Sequence, residues 1–452
     1  MLHESVFENL NELVNNRKFH EIRLAFEDLP SVDIAEFLEQ CTVREAVTML
    51  RSMKKDMSAE VFSYFSGEMQ QSVISEISDR EIGNIIDELY IDDAVDMLEE
   101  MPASVVKKVL KNASPRTRSV INKFLNYSQD SVGSIMTAEF TDLYENMDVE
   151  TAILRIRTIG EDRETVYTCY VIDKATRMLT GVVSVNELLH SDDSELISDI
   201  METNVIKVRT DEQKQNVIHL FSKYDLISLP VVDTENRLVG IVTVDDVMDV
   251  IEKETTKDME QMAAIMPGDT PYLKTGVFTM AKNRIVWLCF LMVAGMLTGA
   301  ILEKYQQAIS ALPILVTFIP MLTGTGGNCG SQSSTMVIRG MSLGEIKTKD
   351  VLKVFWKEIR VALICGAILS IINFAKVLIF NPNEYMIALT VTLSVLFTVV
   401  MAKATGAVLP IIAKLLHLDP AVMASPLITT IVDASSLVLF FSFAKILLGT
   451  RL

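Results

Sequence analysis

The second half of the chain carries five apolar stretches, each long enough to cross a lipid bilayer as a helix. A transmembrane helix needs about 17–25 mostly apolar residues. The stretches lie at approximately 284–302, 309–330, 359–380, 386–410 and 425–448. Residues 281–452 are therefore predicted to form a transmembrane domain of five helices in contact with membrane lipid.

The Lys and Arg residues between these stretches predict their orientation, because cytoplasmic loops carry an excess of positive charge. Lys282 and Arg284 precede the first stretch, six Lys or Arg residues lie in the connection 339–360, and Lys414 lies between the fourth and fifth stretches. The other two connections carry at most one positive charge each. The pattern predicts a multi-pass protein of the cell membrane (plasma or inner), with a cytoplasmic N-terminus and an external C-terminus.

Charge is divided unevenly between the two parts of the chain. Residues 1–270 contain 52 Asp or Glu and 26 Lys or Arg, a net charge of −26, whereas residues 271–452 contain 7 and 15, a net charge of +8. An acidic surface argues against nucleic acid as a partner, since nucleic acid requires a basic footprint, and it suits cations. The N-terminal sequence lacks a basic segment followed by an apolar core, so the acidic part is predicted to stay in the cytosol.

Residues 1–130 are predicted to form an acidic, all-α domain. Apolar residues recur at spacings of three and four, as at Ile82, Ile85, Ile86 and Leu89. Ser and Asp residues before such runs are typical helix N-caps. The helical segments are short and loosely self-similar, which favours a small helical superhelix.

A duplicated pattern occupies residues 131–251. Each copy runs from an Ile-Met pair through a strand, a helix, a strand, a turn, a Gly-containing strand and a final helix, which predicts an α/β unit. The second copy contains "LPVVDTENRLVGIVTVDDVMDVI". The pattern resembles a tandem pair of CBS domains, with copies at 131–195 and 196–251. The acidic segment that follows, within residues 252–280, is predicted to be a linking (plug) helix into the membrane.

The CBS resemblance implies a nucleotide site, because CBS pairs often bind adenosine nucleotides such as ATP. The family contacts the ribose through the Asp of a [ST]-x-x-D element. The second copy has this element as Thr243 and Asp246, whereas the first copy has Ser184 and Glu187. The alternative is that the two CBS domains pack against each other and bind no nucleotide.

The second apolar stretch ends in a segment rich in glycine and polar residues, "PMLTGTGGNCGSQSSTMVIRG". Glycine lets helices approach closely and also permits helix breaks. The segment is therefore either a tight seam of helix packing or the lining of a water-filled cavity. Asn328 and Gln332 favour the cavity.

Asp433 lies in the apolar run "PLITTIVDASSLVLFF". A carboxylate at the centre of a bilayer costs roughly 2.5–3.5 kcal/mol on insertion scales, so a functional role is expected. The alternative is a structural salt bridge to Lys403 or Lys445.

Two membrane segments, "GTGGNCGSQSS" and "DPAVMASPLITTIVDASSL", resemble the MgtE magnesium channels, and the order of domains agrees over nearly the whole chain. The resemblance implies a homodimer with a pore at its interface, Mg2+ as the permeating ion and Asp433 as a pore ligand. It also implies pore-lining positions for Asn328 and Thr429. Asp419 would attract cations at the cytoplasmic mouth.

The resemblance further implies that cytosolic Mg2+ closes the pore by binding among the helical domain, the CBS domains and the linking helix. The candidate regulatory ligands are Asp92, Asp96, Asp225, Asp246, Asp249, Glu254 and Asp258. Bound cations would screen the repulsion between these acids, and their loss would let the domains separate and the pore open. For any single acid of this set, a solvated surface position is the alternative.

The main hypothesis is a Mg2+-selective channel with passive influx, since the chain has no GxxxxGK[ST] motif of an ATPase. The family pattern has Asn and Gly where this chain has Ser425 and Ser435–Ser436, which puts its finer selectivity in question. The alternatives are transport of Co2+ or Mn2+, and a membrane-anchored nucleotide sensor without transport. An enzyme is disfavoured, because HExxH and GxSxG motifs are missing.

Overall fold

The chain divides into two units, Met1–Val250 and Ile251–Leu452. A computed structural model describes residues 4–16, 18–160, 163–268, 272–273, 275–382, 384–423 and 425–449. The first unit begins with α1 (Glu4–Asn15), α2 (Phe19–Phe26), α3 (Ser31–Glu39), α4 (Val43–Leu50), α5 (Lys55–Ser63), α6 (Gly67–Glu76), α7 (Asp79–Glu88), α8 (Ile91–Glu99), α9 (Ala103–Asn112) and α10 (Pro115–Phe124).

Local capping determines where several of these short helices begin. At α4, the Thr42 hydroxyl accepts a hydrogen bond from the Glu45 amide, and the Glu45 carboxylate accepts one from the Thr42 amide. Ser78 and Glu81 repeat this arrangement at α7. Such a reciprocal cap satisfies two backbone donors that have no partner inside the helix. The helices then stack in order, with α3 against α5, α4 against α6, α5 against α7 and α7 against α9, which forms the predicted helical array.

The rest of the first unit consists of two similar α/β copies. Their elements are β1 (Asp142–Tyr144), α11 (Val149–Ile159), β2 (Thr168–Ile172), β3 (Leu179–Ser184), α12 (Val185–His190), α13 (Ile197–Ile200), β4 (Val208–Arg209), α14 (Lys214–Tyr224), β5 (Ser228–Val232), β6 (Leu238–Thr243) and the start of α15 (Val244–Met262). The residues of α15 after Val250 belong to the second unit. In each copy the first strand pairs parallel with the second, and the second pairs antiparallel with the third. This identical topology agrees with the duplication predicted from the sequence.

Contacts between the two copies hold them together. The hydroxyl groups of Tyr170 and Ser228 lie 2.7 Å apart and are buried. Phe140 and Leu179 of the first copy pack in one apolar cluster with Leu238 and Ile241 of the second. Burial of such side chains contributes about 1.5–3 kcal/mol each. The first unit is therefore a helical array followed by a packed CBS-like pair.

The second unit is helical. It contains α16 (Val277–Lys304), α17 (Gln306–Ala311), α18 (Ile319–Ser342), α19 (Val351–Phe380), α20 (Tyr385–Leu415) and α21 (Ser425–Leu448). Among the described residues, four segments are long and apolar enough to cross a membrane: Val277–Lys304, Thr348–Phe380, Tyr385–Leu415 and Pro426–Leu448. The predicted count of five spans is not confirmed by this criterion.

The difference arises at the predicted second span, 309–330. Instead of one helix, this region contains the end of α17, a 3-10 segment at Pro313–Phe318 and the first half of α18. Pro313 and Pro320 lie at the starts of the 3-10 segment and of α18, where a missing amide is tolerated. α18 continues without a break to Ser342, and its many Gly, Ser and Thr residues keep its hydropathy low although neighbouring helices bury one face.

Three glycines of α18, Gly326, Gly327 and Gly330, form a packing seam. A Cβ atom on Gly326 would lie 2.7 Å from Val432 of α21, and one on Gly330 would lie 2.7 Å from Ile428 of the same helix. A Cβ atom on Gly406 of α20 would collide with the carbonyl oxygen of Gly330. Small residues permit this close approach, which is the usual basis of helix association in membranes. The helix-packing interpretation of the glycines therefore holds, whereas Asn328 and Gln332 are exposed on α18.

We expect Gly406→Ala to lower the thermal stability of the full-length protein in detergent. The added methyl group collides with backbone rather than with a flexible side chain, and such overpacking costs roughly 1–3 kcal/mol. Gly299→Ala in α16 is the matched control, because nothing lies within 4 Å of its added Cβ. Equal melting temperatures for the two variants would contradict the seam.

Candidate ion pathway and acidic cluster

Asp433 is a half-buried carboxylate near the middle of α21. The Ser436 hydroxyl donates to the Asp433 backbone carbonyl oxygen at 2.9 Å. Asp433 takes part in none of the ion pairs formed among the described residues. Its side chain is thus a carboxylate in an apolar helix without a cationic partner in the described part of the chain.

The predicted alternative, a salt bridge from Asp433 to a lysine of the membrane unit, is wrong for the described residues. Lys403 is buried in α20, and its Nζ lies 3.9 Å from Glu358 Oε2 of α19. The same ammonium group donates to Ser333 Oγ of α18 at 3.3 Å. Lys445 is exposed near the end of α21, where a long cationic side chain can reach the membrane surface.

Thr429 lies one helical turn before Asp433 and thus on the same face of α21. Its hydroxyl donates to the Pro426 carbonyl oxygen at 2.8 Å. α18 approaches α21 here, since a Cβ atom on Gly327 would lie 3.0 Å from Thr429 Cγ2. Asn328 follows Gly327 and is exposed. The structure therefore brings the helices that carry Asn328, Thr429 and Asp433 into direct contact.

Asp419 lies in the loop before α21 and is exposed. Its carboxylate accepts a hydrogen bond from the Ala421 amide at 2.9 Å. Asp258, near the end of α15, accepts a hydrogen bond from the Ser342 hydroxyl at 3.3 Å. Burial and, after it, the negative charge of Asp419 raise the pKa of Asp258. A carboxylate of the linking segment therefore lies close to one in the loop before the last membrane helix.

A second concentration of carboxylates lies in the first unit. We call Asp92, Asp93, Glu139, Glu164, Asp245 and Asp246 the acidic cluster, because their charges act on one another. Burial, followed by the charge of Asp246, raises the pKa of Asp92. Burial, followed by the charges of Asp245 and Asp246, raises the pKa of Glu164 to about 7. The cluster therefore holds buried carboxyl groups that resist ionisation.

Hydrogen bonding leaves this cluster incompletely satisfied. Asp92 Oδ1 and Glu164 Oε2 are buried and receive no hydrogen bond within the described part of the chain. Other members have donors: the Thr243 hydroxyl donates to Asp246 Oδ2 at 2.6 Å and the Thr243 amide at 3.2 Å, and the Thr137 hydroxyl donates to Glu139 Oε2 at 2.7 Å. Burial outweighs the bonds from Thr243 and raises the pKa of Asp246 to about 7. Buried acceptors without donors are costly and attract cationic or hydrogen-donating ligands.

The predicted regulatory acids are only partly brought together. Asp92 and Asp246 belong to the acidic cluster, and the charges of Asp96 and Asp249 act on Asp246 and Asp93 respectively. Asp225 is exposed at the end of α14, where its backbone is left-handed with φ of 50°. Within the described ranges, no three His, Cys, Asp or Glu side chains converge closely enough to hold a metal ion.

Two regulatory candidates of the second unit have their own contacts. Glu254 forms an ion pair with Lys257 at 3.7 Å, and Asp258 lies near Asp419. Four members of the acidic cluster were not among the predicted ligands: Asp93, Glu139, Glu164 and Asp245. Asp93 and Asp245 adjoin predicted acids and could have been found from helical spacing. Glu139 and Glu164 are distant in sequence and join the cluster only through folding.

Comparisons with known proteins identify the family. A family model described as a divalent cation transporter matches residues 319–443, one for the MgtE intracellular N domain matches 29–130, and a CBS domain model matches 197–253. The magnesium transporter MgtE of Thermus thermophilus is 33% identical over 451 residues, which are 99% of each chain. The chain belongs to the MgtE family of magnesium transporters. The Bacillus subtilis MgtE is 28% identical over 96% of this chain and 95% of that relative.

Two solved structures resemble the first part of this chain. The soluble part of a magnesium transporter aligns with a TM-score of 0.53 and 30% identity, covering 56% of this chain and 98% of the other. The cytosolic domain of the Mg2+ channel MgtE in complex with ATP aligns with a TM-score of 0.51 and 33% identity, covering 54% and 99%. MgtE transporters are membrane proteins, and with its apolar helices this chain is a multi-pass member of the family.

Proposed function

We propose that this MgtE protein is a Mg2+-selective channel of the cell membrane, with passive influx that stops when cytosolic Mg2+ binds the acidic residues of the first unit and the linking helix. The observation that carries the proposal is Asp433, a half-buried carboxylate in an apolar helix without an ion-pair partner among the described residues. An unpaired carboxylate at membrane depth is costly and is retained where it contacts an ion or water.

The chemistry of Mg2+ suits this arrangement. The ion is small, prefers six oxygen ligands and loses its water reluctantly, so a pore needs oxygen acceptors and few fixed charges. In a homodimer, Asp433 of each subunit would face a shared pathway, with Thr429 and the exposed amide of Asn328 lining it. Asp419, exposed in the loop before the last membrane helix, would concentrate cations at the cytoplasmic mouth.

The acidic cluster supports the regulatory half of the proposal. Its carboxylates repel one another, and two buried oxygens have no donor in the described residues. A hydrated Mg2+ ion needs only one or two carboxylates, so it can bind where three protein ligands do not converge. In the second unit, Asp258 and Asp419 form a similar acidic pair. Mg2+ bound at such places would hold the closed state, and its loss would favour opening.

The direct test is Mg2+ influx into proteoliposomes loaded with a Mg2+-sensitive dye, with Co2+ or Mn2+ added as competitors. We expect saturable Mg2+ uptake that follows the gradient without ATP hydrolysis and is weakly inhibited by the other metals. Uptake of Co2+ or Mn2+ in preference to Mg2+ would favour the alternative substrates. Failure of the native protein to transport any of them would contradict the proposal. Protease accessibility in sealed vesicles tests the orientation, with a cytoplasmic N-terminus and an external C-terminus.

We further propose that the CBS pair binds ATP through Thr243 and Asp246. A relative of 33% identity has been solved with ATP bound to its cytosolic domain, and this chain retains the Thr and Asp that the family uses for ribose. We expect Asp246→Ala to weaken ATP binding about tenfold or more in calorimetry, the effect of one hydrogen bond to a charged group. Asp245→Ala is the matched control, since it removes an adjacent charge but no proposed ligand. The same loss in both variants would contradict the ribose contact.

A further inference from the structure

Three polar side chains meet in the interior of the second unit. Ser333 of α18 donates its hydroxyl to Glu358 Oε2 of α19 at 2.6 Å. Lys403 of α20 donates from Nζ to Ser333 Oγ at 3.3 Å, and the same Nζ lies 3.9 Å from Glu358 Oε2. The Lys403 and Glu358 side chains are only 6% and 17% exposed. Three helices thus share one buried ion pair that is bridged by a hydroxyl group.

Such a pair is unusual inside a membrane unit. Ionisable side chains are rarely buried between membrane helices, and those that are normally mark a functional site. A buried ion pair also contributes little net stability, because desolvation offsets the attraction between its members. An apolar contact between α19 and α20 would hold these helices equally well. The ion pair therefore requires a reason beyond packing.

The location of the pair suggests this reason. On α20, Gly406 lies one turn after Lys403. Gly406 contacts Gly330 of α18, which lies one turn before Ser333. At Gly330, α18 also contacts Ile428 of α21, the helix that carries Asp433. A net charge at the pair would therefore act on the two helices that line the proposed cation pathway. Electrostatic effects reach farther between buried side chains, because water and salt screen them poorly.

We propose that Glu358 and Lys403 are a charge-compensating pair that sets the cation affinity of the pathway. Lys403 alone would repel an approaching cation, and Glu358 alone would attract it. When the two charges are paired they cancel, so the charge of Asp433 determines the cation affinity of the pathway. This inference rests on the proposed function, because it takes α18 and α21 as the walls of the cation pathway.

The test measures the Mg2+ concentration for half-maximal influx into proteoliposomes containing the full-length protein, at neutral pH. Glu358→Gln leaves an unpaired ammonium group and should raise this concentration on the order of tenfold. Lys403→Met leaves an unpaired carboxylate and should lower it by a similar factor. The double variant Glu358→Gln with Lys403→Met removes both charges and should return to within about twofold of the native value.

Ser333→Ala is the matched control, because it removes the bridging hydroxyl group without changing the charge, and its half-saturating concentration should stay near the native value. A purely structural pair predicts another pattern: all variants would lose maximal flux along with thermal stability, and none would gain affinity. That pattern, or a Lys403→Met variant with native affinity, would overturn the inference. If Glu358→Gln does not fold, Lys403→Met and the double variant still decide between the two.

The result also separates this inference from the proposed function. Native flux that survives the loss of Asp433 contradicts the proposed pathway itself. Native flux that depends on Asp433, combined with equal affinity in the Glu358 and Lys403 variants, contradicts only the charge-compensating role of the pair.

Discussion

Asp433→Ala is expected to reduce Mg2+ influx about 100-fold at equal incorporation into proteoliposomes. The variant removes the carboxylate that the proposed pathway offers to the ion, and a hydrogen bond to a charged group contributes about 1.5–3 kcal/mol. In a dimer, two such groups are lost together. The measurement is the initial rate of influx reported by a Mg2+-sensitive dye. Asp433→Asn should lose nearly as much influx. It keeps the shape of the side chain but removes the charge, and the charge is what binds the ion.

Asp350→Ala serves as the matched control for Asp433. Asp350 is an acid of the same unit that pairs with Lys353 at 2.9 Å, just before α19. Its loss should leave the flux nearly unchanged, since exposed ion pairs contribute about 0–1 kcal/mol. Because Asp433 has no ion-pair partner in the described residues, its replacement should not reduce thermal stability. Undiminished flux in Asp433→Ala would show that the pathway lies elsewhere.

Much of the fold was predictable because its signals are local. The spacing of Ile82, Ile85, Ile86 and Leu89 predicted a helix, and α7 spans Asp79–Glu88. The duplicated strand and helix pattern predicted two α/β copies, and both sheets have the same strand order. These signals depend on neighbouring residues of the chain, so a sequence carries them without knowledge of the tertiary structure.

The membrane unit was less predictable, because its packing competes with hydropathy. The stretch 309–330 was predicted as one span, yet the long helix there is α18, Ile319–Ser342. Its glycines and serines lower its hydropathy, but contacts with α20 and α21 bury one of its faces. Hydropathy measures the preference for lipid, whereas a helix held among other helices meets little lipid.

Pairings between distant residues could not be predicted at all. Lys403 was considered as a partner for Asp433, although its partner is Glu358, on another helix. Glu164 joins the acidic cluster from the segment after α11, far in sequence from Asp92 and Asp246. Sequence shows that a charge is costly in its surroundings, but only packing shows which group compensates it.

The acidic cluster gives the second large effect, a dependence of stability on pH and Mg2+. We expect the first unit, in full-length protein with a chelator present, to melt at lower temperature at about pH 8 than at about pH 5. The pKa values of Glu164 and Asp246 are raised to about 7, whereas carboxyl groups of an unfolded chain ionise near pH 4. Between these values the folded state binds more protons than the unfolded state. Stability therefore falls as pH rises through this range.

Mg2+ should reverse this loss at about pH 8, because a cation that binds only the folded cluster stabilises it by mass action. The melting temperature should rise by several degrees when Mg2+ is added. The measurement is the circular dichroism of the tyrosines during heating. Asp92→Asn combined with Glu164→Gln should flatten both the pH dependence and the response to Mg2+. In the flux assay, the same double variant should be closed less effectively by internal Mg2+. Asp225→Asn is the control, because Asp225 is an exposed acid at the end of α14 and not a member of the cluster. If Asp225→Asn abolished the Mg2+ response while the cluster variant kept it, the acidic cluster would not be the Mg2+ sensor.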